Sequence, residues 1–274
     1  MDTRATSFDG RQLVAGVQIF DVTGEAVAAR VARSDGTVVA DADDYEHGTR
    51  IPRKPWTPLQ PGELSRVEGD TAGFMKGSSV AVVRVPDELV AAIGRTELFS
   101  DPASIEPAII RFATLLSVGA RAPPRLLGPN SRRIGLPTST YDPRTSQLIG
   151  LHVDSFYGQP IASRHLAPNR LCLNAGREDR FLLFINLTLL QMRNTLMEAG
   201  VADPRVTGNS IDVGDVFMAE FPDYPVLKLT VRPGEAYIAP TENVIHDSTT
   251  EDKIERDVTI TLLGEFALPS SGGA

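Results

Sequence analysis

The second half of this chain is a series of short strand-like segments, and this feature restricts the possible folds most strongly. From about residue 132 onward, short apolar segments alternate with turn residues, and one helical insert, Leu189 to Glu198, interrupts them. Short strands at regular spacing indicate a β-sandwich or a closed double-sheet jelly roll, since parallel βαβ units would need many more helices. The predicted strands are 133–138, 146–153, 170–173, 181–187, 215–220, 226–231, 235–238 and 257–266.

The first 131 residues predict a mixed α/β region with short β segments and two helices. Ser79 to Val85 is a compact apolar segment typical of a strand. Asp87 to Ile93 and the amphipathic segment Pro102 to Leu116 predict helices. The prolines and glycine of residues 123–129 are expected to break the chain before the β-rich core begins.

These patterns predict an α+β fold that is mainly β. A double-sheet core of residues 132–267 would carry flanking helices, and residues 1–131 would pack against it in one integrated domain. Residues 268–274 are mostly small, and they predict a flexible tail.

Composition narrows the function classes. A formal charge of −8 over 274 residues argues against nucleic acid as a partner. The single cysteine, Cys172, excludes an intramolecular disulfide and a cysteine-based zinc or iron–sulfur site. No apolar run is long enough to span a bilayer, and no secretory signal follows Met1, so we expect a cytoplasmic protein without a membrane partner.

One tripeptide, His152-Val153-Asp154, carries the first chemical signal. In a strand, alternate side chains point the same way, so an imidazole and a carboxylate would share one face. With a second imidazole supplied by the fold, they would form a 2-His-1-carboxylate set that leaves half of an octahedral metal open. Alternatively, His152 bonds the backbone and Asp154 begins a turn, because so short a motif occurs often by chance.

A second histidine, His246, follows a predicted strand and turn, and Arg256 stands ten residues later. A hairpin of that length would let both side chains face one cavity, where a guanidinium could bind a carboxylate. Alternatively, Arg256 is a surface residue paired with Glu251, Asp252 or Glu255.

Taken together, the order His-x-Asp, distal His, Arg and apolar strand resembles the iron(II)/2-oxoglutarate-dependent oxygenase superfamily, over residues 132–267. That resemblance implies a double-stranded β-helix, a jelly-roll variety. It also implies that His152, Asp154 and His246 bind Fe(II), and that Arg256 pairs with the distal carboxylate of 2-oxoglutarate. Oxygen would be the second cosubstrate, and succinate and carbon dioxide the products.

Two residues refine this resemblance. Many members have a hydroxyl residue two positions after the arginine, and Val258 stands there, so a second hydrogen bond to the cosubstrate must come from elsewhere. Asn186 is one candidate, although it is equally suited to cap the following helix. Related halogenases carry a small residue at the position of Asp154, so the resemblance implies hydroxylation as the default, with desaturation or cyclisation open.

The segment after Asp154 is expected to fold over the site as a lid, which makes Phe156, Arg164 and His165 candidates for substrate contact. A small metabolite is the substrate class that the resemblance implies, by analogy alone. Two other functions stay open. One is a cupin-like metal-dependent dioxygenase or isomerase without 2-oxoglutarate, and the other is a non-catalytic jelly-roll binding module.

Overall fold

The computed structural model describes residues 8–70, 73–117, 119–208 and 210–268. Its strands are β1 (Gln18–Asp21), β2 (Val31–Ser34), β3 (Thr37–Val39), β4 (Arg50–Pro52), β5 (Thr57–Pro58), β6 (Ser79–Arg84), β7 (Arg125–Arg132), β8 (Tyr141–Asp142), β9 (Gln147–Leu148), β10 (Asn169–Asn174), β11 (Arg180–Thr188), β12 (Val226–Val231), β13 (Glu235–Ala239), β14 (Val244–Thr249) and β15 (Asp257–Gly264). Its α-helices are α1 (Pro61–Val67), α2 (Asp87–Arg95), α3 (Glu106–Leu115), α4 (Leu189–Glu198), α5 (Pro204–Thr207) and α6 (Val213–Glu220). Short 3-10 helices cover Val27–Ala29, Pro102–Ser104 and Ile161–Leu166.

Two sheets organise the described chain. A six-stranded sheet has the order β1-β6-β13-β10-β15-β7, and a five-stranded sheet has the order β14-β11-β12-β2-β5. Strands that precede residue 132 pair with later strands in both sheets. The prediction of a mainly β fold with flanking helices is confirmed. The predicted tail, apart from Leu268, lies outside the described residues.

The six-stranded sheet separates an apolar outer layer from a partly polar interior. Leu171 and Leu173 of β10 face a core that includes Ile109 and Phe112 of α3. Full burial of such side chains contributes about 1.5–3 kcal/mol each. Because alternate residues of a strand point to opposite faces, Arg170 points to the interior. The same alternation gives β15 a polar interior face, on which Thr259 and Thr261 lie.

Four local predictions are wrong or only partly right. Residues 133–138 form no strand, and the predicted strand 146–153 is reduced to Gln147–Leu148 and an isolated bridge at His152. Residues 123–129 do not simply break the chain, because Arg125–Arg132 forms an edge strand in which Gly128 has a φ of +101°. Edge strands tolerate proline such as Pro129, since one side of the strand needs no ladder hydrogen bond. The predicted strand 215–220 is helix α6 instead. Its apolar segment packs Val216 and Phe217 into the main core, and short apolar runs fit a buried helix as well as a strand.

Within the described part of the chain, none of the helices combines the length and the apolar character needed to cross a membrane.

Candidate metal centre

The three predicted metal ligands converge at the edge of the five-stranded sheet. His152 forms an antiparallel bridge with His246 of β14, and the two backbone hydrogen bonds measure 3.1 and 2.8 Å. Asp154 is fixed by its backbone N–H, which donates to the carbonyl of Thr241 at 3.0 Å. One potential ligand atom from each residue lies within 4.8 Å of the other two. The sheet pairing therefore brings together residues that are almost a hundred positions apart.

Backbone carbonyls orient both imidazoles. Nδ1 of His152 lies 2.7 Å from the carbonyl oxygen of Gly150, and Nδ1 of His246 lies 3.2 Å from that of Val244. Each Nδ1 must carry the proton to donate these bonds, which leaves the lone pair on Nε2. The Nε2 atoms lie 3.7 Å (His152) and 3.6 Å (His246) from the Asp154 carboxylate oxygens. Both rings thus present an acceptor nitrogen to the same point.

Gly150 is required for this arrangement. Its φ is +62°, in the left-handed region that L side chains rarely adopt. A Cβ at this position would lie 2.5 Å from the carbonyl oxygen of Arg50. Only glycine allows the turn that brings its carbonyl to His152.

Arg170 holds the third ligand. Its Nη2 donates to Oδ2 of Asp154 at 2.6 Å, and both side chains are largely buried. Burial favours the neutral acid, but Arg170 and the two imidazoles outweigh it and hold the pKa of Asp154 well below its usual range. Asp154 is therefore a carboxylate, with one oxygen tied to Arg170 and the other facing His152.

The two histidines differ in protonation. Burial lowers the pKa of His246 to about 3, so this ring is neutral at physiological pH. Burial also opposes charge on His152, but the carboxylates of Asp154 and Asp247 outweigh it and raise its pKa. At a given pH, a larger fraction of His152 than of a free imidazole is therefore protonated, and a metal ion must displace that proton in order to bind.

Metal affinity is expected to fall as the pH falls, because protonation of His152 removes its lone pair. With one linked proton, the loss reaches at most about tenfold per pH unit. Calorimetric titration with Co(II) at pH 8, 7 and 6, in buffers of different protonation enthalpy, measures affinity and proton release together. Equal affinity at pH 8 and pH 6 would contradict this assignment.

Arg164, a predicted substrate contact, does not line the metal cavity and is instead buried against the backbone beside it. The side chain is buried, and Nη1 donates to the carbonyl of Asp154 at 2.9 Å and to that of Glu242 at 2.7 Å. Nη2 donates to Oγ of Ser155 at 3.2 Å. Arg164 thus fixes the backbone on both sides of the site instead of reaching into the cavity.

Substitution of Arg164 by methionine is expected to lower the free energy of unfolding by about 3 kcal/mol, because buried carbonyls lose a charged donor. Metal affinity should also fall by roughly 10–100-fold, as is typical when support of a ligand is removed. Urea denaturation and Co(II) titration check the two effects. Wild-type metal affinity in this variant would show that Arg164 does not position Asp154.

The ligands face a cavity of ≈ 270 Å³. Three guanidinium groups, from Arg132, Arg170 and Arg180, line it together with Tyr237 and the β15 threonines. Asp154 neutralises Arg170 at the metal end. Asp247 adds a second carboxylate to the lining, so three guanidiniums face two carboxylates and the cavity keeps an excess of positive charge, although the whole chain has a net negative charge.

Arg180 is the strongest anion-binding candidate in this cavity. It begins β11, in which Phe184 pairs directly with His246, and residues 180, 182 and 184 share one face. The buried side chain forms an ion pair with Asp257, and Lys253 binds the same carboxylate at 3.3 Å. Burial opposes the charge on Arg180, but Asp257 raises its pKa above the ordinary value. Since two cations share one carboxylate, this end of the cavity retains positive charge.

The structure does not place Arg256 in the cavity. It is exposed, and its Nε donates to Oγ of Ser131 at 2.9 Å. The neighbouring residue Asp257 takes the inward position, so Arg256 points to the opposite face of the strand. The predicted hairpin is also wrong, because β14, which carries His246, and β15, which follows Arg256, belong to different sheets.

Asn186 is also absent from the cavity lining. Its amide donates to the carbonyl of Val14 at 2.8 Å and accepts from the Tyr224 hydroxyl at 2.8 Å. The cap of α4 is instead Thr188, which forms a capping box with Gln191. Asn186 therefore ties the N-terminal segment to β11.

The two other predicted substrate contacts, Phe156 and His165, lie in different cavities. Phe156 lines the metal cavity with a half-exposed ring, and Arg170 lies 5.9 Å from the centre of that ring. His165 is exposed and lines a different surface depression with Met75. Of the predicted lid residues, only Phe156 reaches the metal cavity.

Sequence reasoning missed Asp247, Arg170 and Arg180. Oδ1 of Asp247 accepts from Oγ1 of Thr140 at 2.9 Å, and its other oxygen lies 3.8 Å from Nδ1 of His152. A usable signal existed, because Arg170 and Arg180 each interrupt or begin an apolar strand. A charged residue in such a strand indicates a polar interior.

No family model matches the chain, and no curated protein matches it. Among solved structures, the Kdo hydroxylase KdoO, a non-heme Fe(II) alphaketoglutarate-dependent dioxygenase, aligns at 15% identity with a TM-score of 0.37, over 71% of this chain and 81% of that chain. A variant of the iron and alpha-ketoglutarate-dependent endoperoxidase NvfI aligns at 9% identity with a TM-score of 0.37, over 87% and 99% of the two chains. At these identities and TM-scores, neither solved structure assigns an activity to this chain.

Proposed function

We propose that this chain is an Fe(II)- and 2-oxoglutarate-dependent oxygenase that hydroxylates a C–H bond of a small molecule. The observation that carries the proposal is the convergence of His152, Asp154 and His246 on one wall of a cavity that also contains a buried arginine, Arg180. Three ligands on one side leave the other side of a metal open for a chelating cosubstrate and oxygen.

The donor set fits Fe(II). Two neutral imidazole nitrogens and one carboxylate oxygen form the set that non-haem iron oxygenases use, and the described residues add no thiolate to it. Adjacent ligands of an octahedral ion lie about 3 Å apart. The Nε2 atoms of His152 and His246 lie 3.7 and 3.6 Å from different oxygens of Asp154, and one ligand atom from each of the three residues lies within 4.8 Å of the other two, so the side chains would have to rotate inward to reach that spacing.

The strand order supports a double-stranded β-helix core. Strands β7, β15, β10 and β13 are neighbours in one sheet, whereas β14, β11 and β12 are neighbours in the other, which the His152 bridge extends. From β10 to β15 the chain thus passes from one sheet to the other at each step except between β11 and β12, which are consecutive in the same sheet, and such alternation is typical of a jelly roll. The metal ligands lie where this arrangement opens.

Residues that line the metal cavity would bind the cosubstrate and orient the metal ligands. Arg180 would bind the distal carboxylate of 2-oxoglutarate, the role expected of Arg256, and Thr259 or Tyr237 would supply the hydrogen bond that Val258 cannot. Arg170 would keep Asp154 ionised and oriented, while Phe156 would cover the mouth of the cavity and limit the access of water. Bound iron would supply the activation of oxygen that decarboxylates 2-oxoglutarate and oxidises the substrate.

Release of labelled carbon dioxide from [1-¹⁴C]2-oxoglutarate tests this function without a known substrate. The protein should release it slowly in the presence of Fe(II) and oxygen, and Asp154→Ala should not. Iron retained without any such release would favour a cupin-like enzyme that does not use 2-oxoglutarate. Absence of iron binding would favour a binding module.

A further inference from the structure

A second cavity, which we call the arginine pocket, lies beside the metal cavity at the end of β7. Its volume is ≈ 340 Å³, and Arg132, Arg133 and Arg256 line it together with Asp44 and Tyr141. Residues 127–130 of β7 line the metal cavity, whereas residues 131–133 line the arginine pocket. Arg132 contributes to both, so the two cavities share a wall.

The arginine pocket has an excess of positive charge. Asp44 pairs with Arg133. Among the described residues, no carboxylate lies within ion-pair distance of Arg132 or Arg256. Arg132 instead stacks on Tyr141, with 5.1 Å from its guanidinium carbon to the ring centre. Burial lowers the pKa of Arg132, because its charge is only partly compensated. An incoming anion would compensate that charge.

The metal cavity is too small to hold the whole of an average substrate. At ≈ 270 Å³ it lies below the range of about 300–1,000 Å³ typical of small-molecule sites, and it must already hold the metal and 2-oxoglutarate. Most of the substrate must therefore extend beyond it, and the arginine pocket adjoins it.

We propose that the substrate carries an oxyanion group, a carboxylate or a phosphate, which binds in the arginine pocket between Arg132 and Arg256. Forked guanidinium groups suit the planar or tetrahedral oxygens of such groups. In a protein of net charge −8, three arginines at one cavity also attract anions locally. This inference rests on the proposed function and names the substrate class for that site.

Titration of the metal-free protein with inorganic phosphate, followed by ³¹P NMR line width at constant ionic strength, tests the pocket itself. We expect saturable binding in the wild type. Arg256→Gln should weaken it about fivefold, as for an exposed ion pair, and Arg132→Gln about tenfold or more. Asp44→Asn should strengthen it by up to about fivefold, because it removes the competing carboxylate.

Arg125→Gln is the matched control, since Arg125 is an exposed arginine on the same strand outside the pocket. It should bind phosphate like the wild type. Absence of saturable binding would overturn the proposal. So would binding that survives Arg132→Gln and Arg256→Gln but is lost in Arg180→Gln, because the anion would then occupy the metal cavity.

A second experiment connects the pocket to turnover. Carboxylic acids and phosphate esters, each paired with an uncharged methyl ester or alcohol, are screened for stimulation of succinate formation by the Fe(II)-loaded protein. Stimulation confined to the charged members supports the proposal, whereas stimulation by uncharged members overturns it. Failure of the proposed function is recognised separately, since no compound and no metal would then give succinate, while phosphate binding would still report on the pocket.

Discussion

Replacement of His246 by alanine is expected to abolish Fe(II) binding and to lower 2-oxoglutarate turnover by more than about 100-fold, beyond what loss of a supporting residue causes. The loss follows from geometry. His246 supplies a neutral ring whose Nε2 lies 3.6 Å from Asp154, and it is fixed by backbone bonds to His152. Iron content after gel filtration and release of carbon dioxide measure the two effects.

His47→Ala is the matched control, because His47 is exposed and does not line the metal cavity. It should retain wild-type iron content. Circular dichroism of both variants separates loss of the ligand from loss of the fold. A folded His246→Ala protein with full iron content and turnover would refute the metal centre.

Substitution of Arg180 by glutamine is expected to raise the KM for 2-oxoglutarate by about 10–100-fold, the effect of losing a forked, charge-assisted contact to a carboxylate. The variant should still fold, because Lys253 lies 3.3 Å from Asp257 and keeps this buried carboxylate paired. Measurement of initial rates against 2-oxoglutarate concentration, at saturating Fe(II), gives the KM.

Arg180→Lys keeps the charge but loses the fork, so its KM should lie between those of the wild type and Arg180→Gln. Arg177→Gln is the control for charge alone, since Arg177 is exposed three residues earlier and lies outside the cavity. An unchanged KM in Arg180→Gln would show that another residue binds the distal carboxylate.

The contrast between Arg256 and Arg180 shows how far sequence reasoning reaches. The triad was predictable because His152 and Asp154 are two residues apart on a strand-like segment, and because His246 follows a strand and turn. The direction of the Arg256 side chain was not predictable. A shift of one residue along a strand moves a side chain to the opposite face of the sheet, and spacing in the sequence is not precise enough to exclude such a shift. Here Asp257 takes the inward position, and Arg256 bonds Ser131 on the other face.

Other differences have a similar origin. The apolar run Val216-Phe217-Met218 is compatible with a strand and with a buried helix. In the structure it belongs to helix α6, whose apolar side chains pack in the main core. Proline and glycine indicated a break at residues 128–129, yet an edge position lets β7 include both. Arg180 follows a polar stretch, so only the alternation along β11 could have assigned it to the interior.

The most direct test of the metal centre is an anaerobic visible spectrum of the metal-free protein, titrated first with Fe(II) and then with 2-oxoglutarate. The proposed site predicts a weak metal-to-ligand charge-transfer band that appears only when both are present. The band should be lost in His246→Ala and should require higher 2-oxoglutarate in Arg180→Gln. Bound iron that gives no band on addition of 2-oxoglutarate would contradict the proposed use of this cosubstrate, and absence of bound iron would contradict the metal centre itself.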